Sequence, residues 1–344
     1  REAIARAKGV SLPRPTIALV SRDLGCRPRR SRRRGRRWKA GDWVNAAHAR
    51  HLEVRRLLLI GRLEEAERAL GGLDPAAFPP ASRVAHELVV AGIAMRRLRI
   101  KVARPALTRA GRAARQAGIP ALIAEVENAA VILNTPAARL IERGEQRLLL
   151  LEDVEGVLKS EALVVDACRH VVRGADTVVS LARRPVLFAL ARVLGEAWPK
   201  DVSRDTLVKR AFRAKHADES HRARLRVEIG RLRTELRSLA NVSATTQGFA
   251  LAPRHATELV VLAPPVEEEN AAVLAFLADG ESWSSSALAL ALGASQRTVQ
   301  RALDELAATG KVQSFGRARA RRWVTPPVAG FTTTLLLPAP LPGA

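Results

Sequence analysis

Arginines spaced along single helix faces are the main chemistry this sequence offers. Over residues 220–239, Leu225, Ile229, Leu232 and Leu236 recur with helical spacing and make one apolar stripe. A helix anchored by that stripe turns Arg224, Val227, Gly230, Arg231 and Thr234 the other way, with Arg226 on the flank. Over residues 295–308, Val299, Leu303 and Leu306 make a second inner stripe, and Arg297, Thr298, Gln300 and Arg301 point outward near the helix start. An outward guanidinium can donate two hydrogen bonds to guanine O6 and N7 or clamp a phosphate, and a Gln carboxamide can pair with adenine. Further on, Arg317, Arg319, Arg321 and Arg322 fall within six residues. The first three alternate, so they are expected on one face of a strand, where phosphates or a narrow minor groove would be met.

Catalytic chemistry has far less to stand on. The chain has no Gly-rich phosphate loop, no G-x-S-x-G and no H-E-x-x-H. His48 and His51 lie three residues apart on an expected helix, but without an evident third ligand they read as a surface pair. Asp218, Ser220 and His221 are neighbours in sequence, not a triad, and Ser220 suits a helix N-cap. No catalytic residue, cofactor or metal site is expected.

The elements that must hold these residues follow from periodicity. Residues 1–45 read as a basic arm: nine of the thirteen residues from Arg27 to Lys39 are Arg or Lys and none is acidic. Residues 46–146 read as one helical domain, with antiparallel helices over 46–134, Leu52, Leu57, Ile60 and Leu63 as an apolar face, a break at Gly61, and further helices at about 82–100, 102–116 and after Pro120. Residues 147–181 change to short β-rich runs, and Cys168 falls in one of them. Helices then start at Pro185 and after Ser203, followed by the basic helix and a hairpin at 242–251. Pro264-Pro265 marks a linker at about 261–269. Residues 263–327 hold a helix, a helix-turn-helix pattern with Gly293 at the turn and Ser295 as cap, and two strands around Gly316 with Trp323 in the core. Residues 328–344 form a tail. The expected fold class is mainly α with small β-sheets: a helical repeat-like domain and two winged-helix domains.

Three segments resemble known families. The stretch RLLLIGRLEEAERALGGLDP resembles a tetratricopeptide repeat, with a small residue at the turn, an Ala-containing second helix and a Pro near the end. Residues of about 147–253 resemble the winged-helix effector domain of OmpR/PhoB-type transcription regulators. The resemblance is carried by the Pro185 opening of the first helix, Ser203-Arg204-Asp205 and Leu207 in the second, Val227, Ile229 and Arg231-Leu232-Arg233 in the third, and Thr246 with Gly248-Phe249 in the wing. Residues 267–325 resemble a second bacterial winged helix-turn-helix. The resemblance implies that the third helix of each module enters the major groove. Gly248-Phe249-Ala250-Leu251 departs from the family's wing, so minor-groove contact is not carried over there, while Thr246 and Gln247 remain as phosphate donors. No receiver domain with a phosphoacceptor is visible, so phosphorylation control is not carried over either.

Composition agrees with this direction. The 344 residues carry 57 Lys and Arg against 34 Asp and Glu, a net charge of +23, which favours polyanionic partners. Aromatics are 3% and Tyr is absent, which weighs against modules that stack single-stranded bases. Hydrophobic residues at 47% suffice for packed cores, yet no run of about 18 apolar residues exists. Two cysteines, Cys26 and Cys168, make no disulfide scaffold. The sequence reading is therefore a transcription regulator that binds double-stranded DNA in the bacterial cytoplasm, associated with the nucleoid and not with membrane. Its helical domain is left for a homodimer or a protein partner. The rival reading is a protein-interaction adaptor for an acidic partner.

Overall fold

The computed structural model describes residues 42–174, 176–212, 218–265, 270–277, 282–317 and 321–325. The basic arm from Arg27 to Lys39, Cys26, Arg319 and the expected tail lie outside the described residues. The described chain is mainly α with small β-sheets. It divides into two units: residues up to Thr135 together with those from Glu268 onward, and residues Pro136–Glu267.

In the first unit, α1 (Asp42–Leu59) and α2 (Leu63–Leu70) are separated at Gly61, whose φ is 74°. The helices α3 (Pro80–Arg96), α4 (Ile100–Ala117) and α5 (Pro120–Val131) follow. Pro80 and Pro120 occupy the first turn, where a missing N–H costs no helical bond. Ala103, Ala106, Ala110, Ala113 and Ala114 of α4 are all buried, and these small side chains let its backbone approach its neighbours closely. From the C-terminal part of the chain the same unit contains α10 (Ala271–Leu277), α11 (Ser285–Leu292), α12 (Gln296–Ala308) and the strand pair β10 (Gln313–Phe315) and β11 (Arg322–Val324). Leu57, Leu63 and Ala66 belong to the same apolar core as Leu277, Leu288, Leu303 and the two fully buried indoles Trp283 and Trp323. Trp283 and Trp323 also exchange backbone hydrogen bonds of 2.9 and 2.8 Å, which tie the start of α11 to the strand pair.

The second unit is built on a six-stranded sheet in the order β2-β1-β9-β3-β4-β5. Its strands are β1 (Ala138–Glu142), β2 (Glu145–Leu149), β3 (Leu163–Asp166), β4 (Val171–Arg173), β5 (Val178–Ser180) and β9 (Leu259–Ala263). All pairings are antiparallel except β3 with β9. Helix α6 (Leu151–Lys159) follows β2. Between β5 and β9 come α7 (Pro185–Ala197), β6 (Val202–Ser203), α8 (Arg204–Phe212), α9 (Glu219–Leu236), β7 (Ala240–Ala244) and β8 (Gly248–Pro253), with β6, β8 and β7 forming a three-stranded sheet. Leu190 and Leu194 of α7, Leu207 of α8 and the apolar stripe of α9 share one core with Val165 and Val261 of the six-stranded sheet. Gly195 makes the close seat: a Cβ there would come within 3.0 Å of Val261.

The helical run ends near residue 134, as its periodicity predicts, and residues 138–149 form a hairpin closed by Arg143 and Gly144, both at positive φ, as a two-residue turn between twisted strands requires. Three expectations are corrected. Residues 151–159 are helical inside the expected β-rich stretch, since Asp153 accepts a 2.9 Å bond from the Leu150 N–H while Leu151 and Val154 are buried. The expected linker begins inside β9, whose five residues are all buried between two strands; its unbroken apolar run is the pattern of a central strand. Cys168 lies after β3 in a turn held by Asp166 Oδ1, which accepts the N–H groups of Cys168 and Arg169 at 2.9 and 3.0 Å.

Two glycines give opposite expectations. A Cβ on Gly248 would lie 1.7 Å from the Val202 carbonyl oxygen, whereas one on Gly230, exposed within α9, meets nothing within 4 Å. Gly248→Ala is expected to lower unfolding free energy by at least about 2 kcal/mol, because β6 and β8 must separate. Gly230→Ala should raise it by about 0.5–1 kcal/mol through helix propensity. Denaturant unfolding followed by circular dichroism measures both, and equal effects of the two would contradict this packing.

Candidate nucleic-acid interface

Helix α9 is fixed at its start by Asp218, not Ser220: the Asp218 carboxylate accepts the His221 N–H at 2.8 Å. The acceptor chemistry is the same, but the cap falls two residues earlier. Leu225, Ile229, Leu232 and Leu236 are at most 1% exposed. Arg224, Arg226, Val227, Arg231 and Thr234 are all exposed on the remaining surface. Val227 is 55% exposed, an apolar group set among cations that could meet a thymine methyl.

The outward side chains are lightly tethered. Arg231 pairs with Glu228 at 2.9 Å and Arg226 with Glu219 at 3.6 Å. The Arg224 guanidinium lies 4.7 Å from the centre of the Phe212 ring, and the Thr234 hydroxyl donates to the Gly230 carbonyl at 3.2 Å. Exposed ion pairs of this kind contribute about 0–1 kcal/mol, so a phosphate can displace them at small cost. Behind this face, Arg233 Nε donates to the Val242 carbonyl at 2.7 Å and holds α9 against the hairpin.

The β7–β8 hairpin tip exposes Thr246 and Gln247. Its shape is set by Arg204, which donates to the carbonyls of Thr245 and Thr246 at 3.2 Å each, and by Thr245, which donates to Asp201 at 2.5 Å and accepts the Gly248 N–H at 2.8 Å. The sequence reading placed Arg204 in a helix start only. A bond spanning 42 positions leaves no local sequence signal.

The second array has the same plan on a shorter scaffold. Ser284 and Ser295 cap α11 and α12, each hydroxyl accepting a backbone N–H at 3.1 Å, and Gly293 ends α11 at φ 62°. Val299, Leu303 and Leu306 are buried, while Arg297, Thr298 and Arg301 are exposed. Gln300 is half-buried and donates to Asp304 at 3.0 Å, so it must release that carboxylate before it can pair with a base. Arg301 lies 3.9 Å from Glu305.

The expected arginine face on one strand is corrected. β10 ends at Phe315 and β11 begins at Arg322, so Arg317 and Arg321 belong to the connection between them, and Arg319 lies outside the described residues. Gly316, at φ 80°, turns the chain before the alternation can start. Arg321 packs 4.3 Å from the centre of the Trp323 ring and donates to Ser314 at 3.2 Å, while Arg317 is exposed.

The histidines are corrected as well. His48 is exposed, but His51 is 1% exposed and faces His86 across α1 and α3, with His51 Nε2 3.4 Å from His86 Nδ1. Both rings pack edge-on against Phe78. Among the described residues no three His, Cys, Asp or Glu side chains are grouped to hold a metal ion. Burial, then the charges of His86, Arg55 and His48, push the His51 pKa down to about 4. Burial likewise lowers His86, and burial raises the Cys168 thiol.

No family model, curated protein or solved structure matches this chain. Among the described residues no helix is long and apolar enough to cross a membrane.

His51 is neutral in the fold, whereas an unfolded histidine takes up a proton near pH 6.5. Stability is therefore fully present above that pH and is lost as pH falls from about 6.5 toward 4. His51→Gln should reduce the loss in unfolding free energy between pH 7 and pH 5. A loss equal to that of the unaltered chain would mean the ring is not the group responsible.

Proposed function

We propose that the chain is a transcription regulator that binds double-stranded DNA through two winged-helix modules, acting by binding and not by catalysis. The observation that carries the reading is the shared construction of α9 and α12. Each buries one apolar stripe completely, exposes arginines and small polar residues on the rest of its surface, and is backed by a β-hairpin. That is the arrangement a major groove about 12 Å wide can admit.

In this reading the net charge of +23 draws the protein to phosphates and releases condensed counterions, giving affinity without sequence preference. Arg226, Arg317 and Arg321, with Thr246 and Gln247 at the first hairpin tip, fix register on the backbone. Arg224, Arg231 and Thr234 of α9, and Arg297, Thr298, Gln300 and Arg301 of α12, inspect base edges, where a good bidentate pair discriminates by about 1–3 kcal/mol.

Arg297→Ala with Arg301→Ala removes two exposed guanidiniums and leaves Val299, Leu303 and Leu306 in place. Affinity for a preferred duplex is expected to fall about 10–100-fold in a mobility-shift titration, with the circular dichroism spectrum unchanged. Unaltered affinity for that duplex would remove α12 from the contact.

A further inference from the structure

Helix α4 carries a basic row that the modules above do not use. Lys101, Arg104, Thr108, Arg112 and Arg115 follow one another at steps of three, four, four and three residues, and all five are exposed. At 100° per residue they fall within an arc of about 80°, and at 1.5 Å per residue they run for about 21 Å. The opposite side of the helix holds Ala103, Ala106, Leu107, Ala110, Ala113 and Ala114, all buried, so the row cannot rotate inward. The helix contains no Asp or Glu.

The other arginines of this layer show what a structural role looks like. Arg55 pairs with Glu125 at 2.7 Å, Arg62 with Glu65 at 3.1 Å, Arg97 with Glu67 at 2.9 Å, and Arg109, at the edge of α4, with Glu87 at 2.8 Å. Among the described residues no carboxylate pairs with Lys101, Arg112 or Arg115. Like charges one turn apart disfavour a helix by a few tenths of a kcal/mol each. A row of this kind is relieved when a linear polyanion lies along it, and duplex DNA presents one negative charge per about 1.7 Å of axis.

We infer that the outer face of α4 is a third nucleic-acid contact, which tracks the phosphate backbone of a duplex without reading its sequence. The inference rests on the DNA-binding reading and extends it to a helix outside both modules. Thr108, whose hydroxyl donates to the Arg104 carbonyl at 3.1 Å, sits at the middle of the row. The row adds affinity and salt dependence equally for every sequence.

The test uses the full chain with Lys101, Arg104, Arg112 and Arg115 each changed to Gln, beside the Arg112→Gln, Arg115→Gln double variant as a milder form. Binding to a random-sequence duplex is titrated over a range of salt, with poly-glutamate as a second probe. Each lost phosphate contact reduces the slope of log K against log salt by about 0.9, so the quadruple variant should be shallower by about 3.6 and the double by about 1.8. Preference between duplex sequences should stay as it was. If the unaltered chain binds duplex but the slopes do not change, the third contact is wrong and the DNA reading stands. If the substitutions abolish binding to poly-glutamate alone, the face serves an acidic protein and the inference is overturned. If the unaltered chain binds no duplex, the DNA reading fails and this inference with it.

Discussion

A helix can offer a row of arginines to a partner only if something else holds its other side. That constraint is met by leucine and its relatives. In α9 four apolar residues at helical spacing are exposed by 1% or less, and in α12 Val299, Leu303 and Leu306 by 3% or less. Burying one such side chain stabilises by about 1.5–3 kcal/mol, so each stripe outweighs the mutual repulsion of the charges opposite it. The caps Asp218 and Ser295, the Arg233 bond to Val242 and the paired tryptophans then fix where each helix begins and what lies behind it.

The distribution of positive charge is uneven in a meaningful way. Many arginines are locked into structure: Arg97 and Arg109 hold carboxylates, Arg204 holds two carbonyls, and Arg233 joins helix to strand. On the outer faces, Lys101, Arg112 and Arg115 pair with no carboxylate among the described residues, and Arg231 and Arg301 are held by pairs that cost little to open.

Much of this was legible in the sequence. The 3.6-residue period placed α7, α9 and α12 and their buried residues, because amphipathic helices write their packing into local spacing. The exposed arginines of α9 and α12 followed by subtraction. What escaped depends on distant partners. β9 reads like the start of a linker until β1 and β3 are set beside it, and the His51 ring looks like a surface group until His86 and Phe78 close over it. Arg204 at the hairpin tip and the interrupted arginine alternation after Phe315 are losses of the same kind, set by a turn or a contact that no short window contains.

The central claim is that two anchored helices hold base-reading arginines outward. Selection of bound fragments from a pool of random duplex DNA tests it most directly. The account predicts enrichment of a recurring motif containing guanine steps, with the enriched bases changing when Arg297 and Arg301 or Arg224 and Arg231 are replaced. A pool that binds but returns no motif, or one whose motif is indifferent to all four arginines, would contradict it.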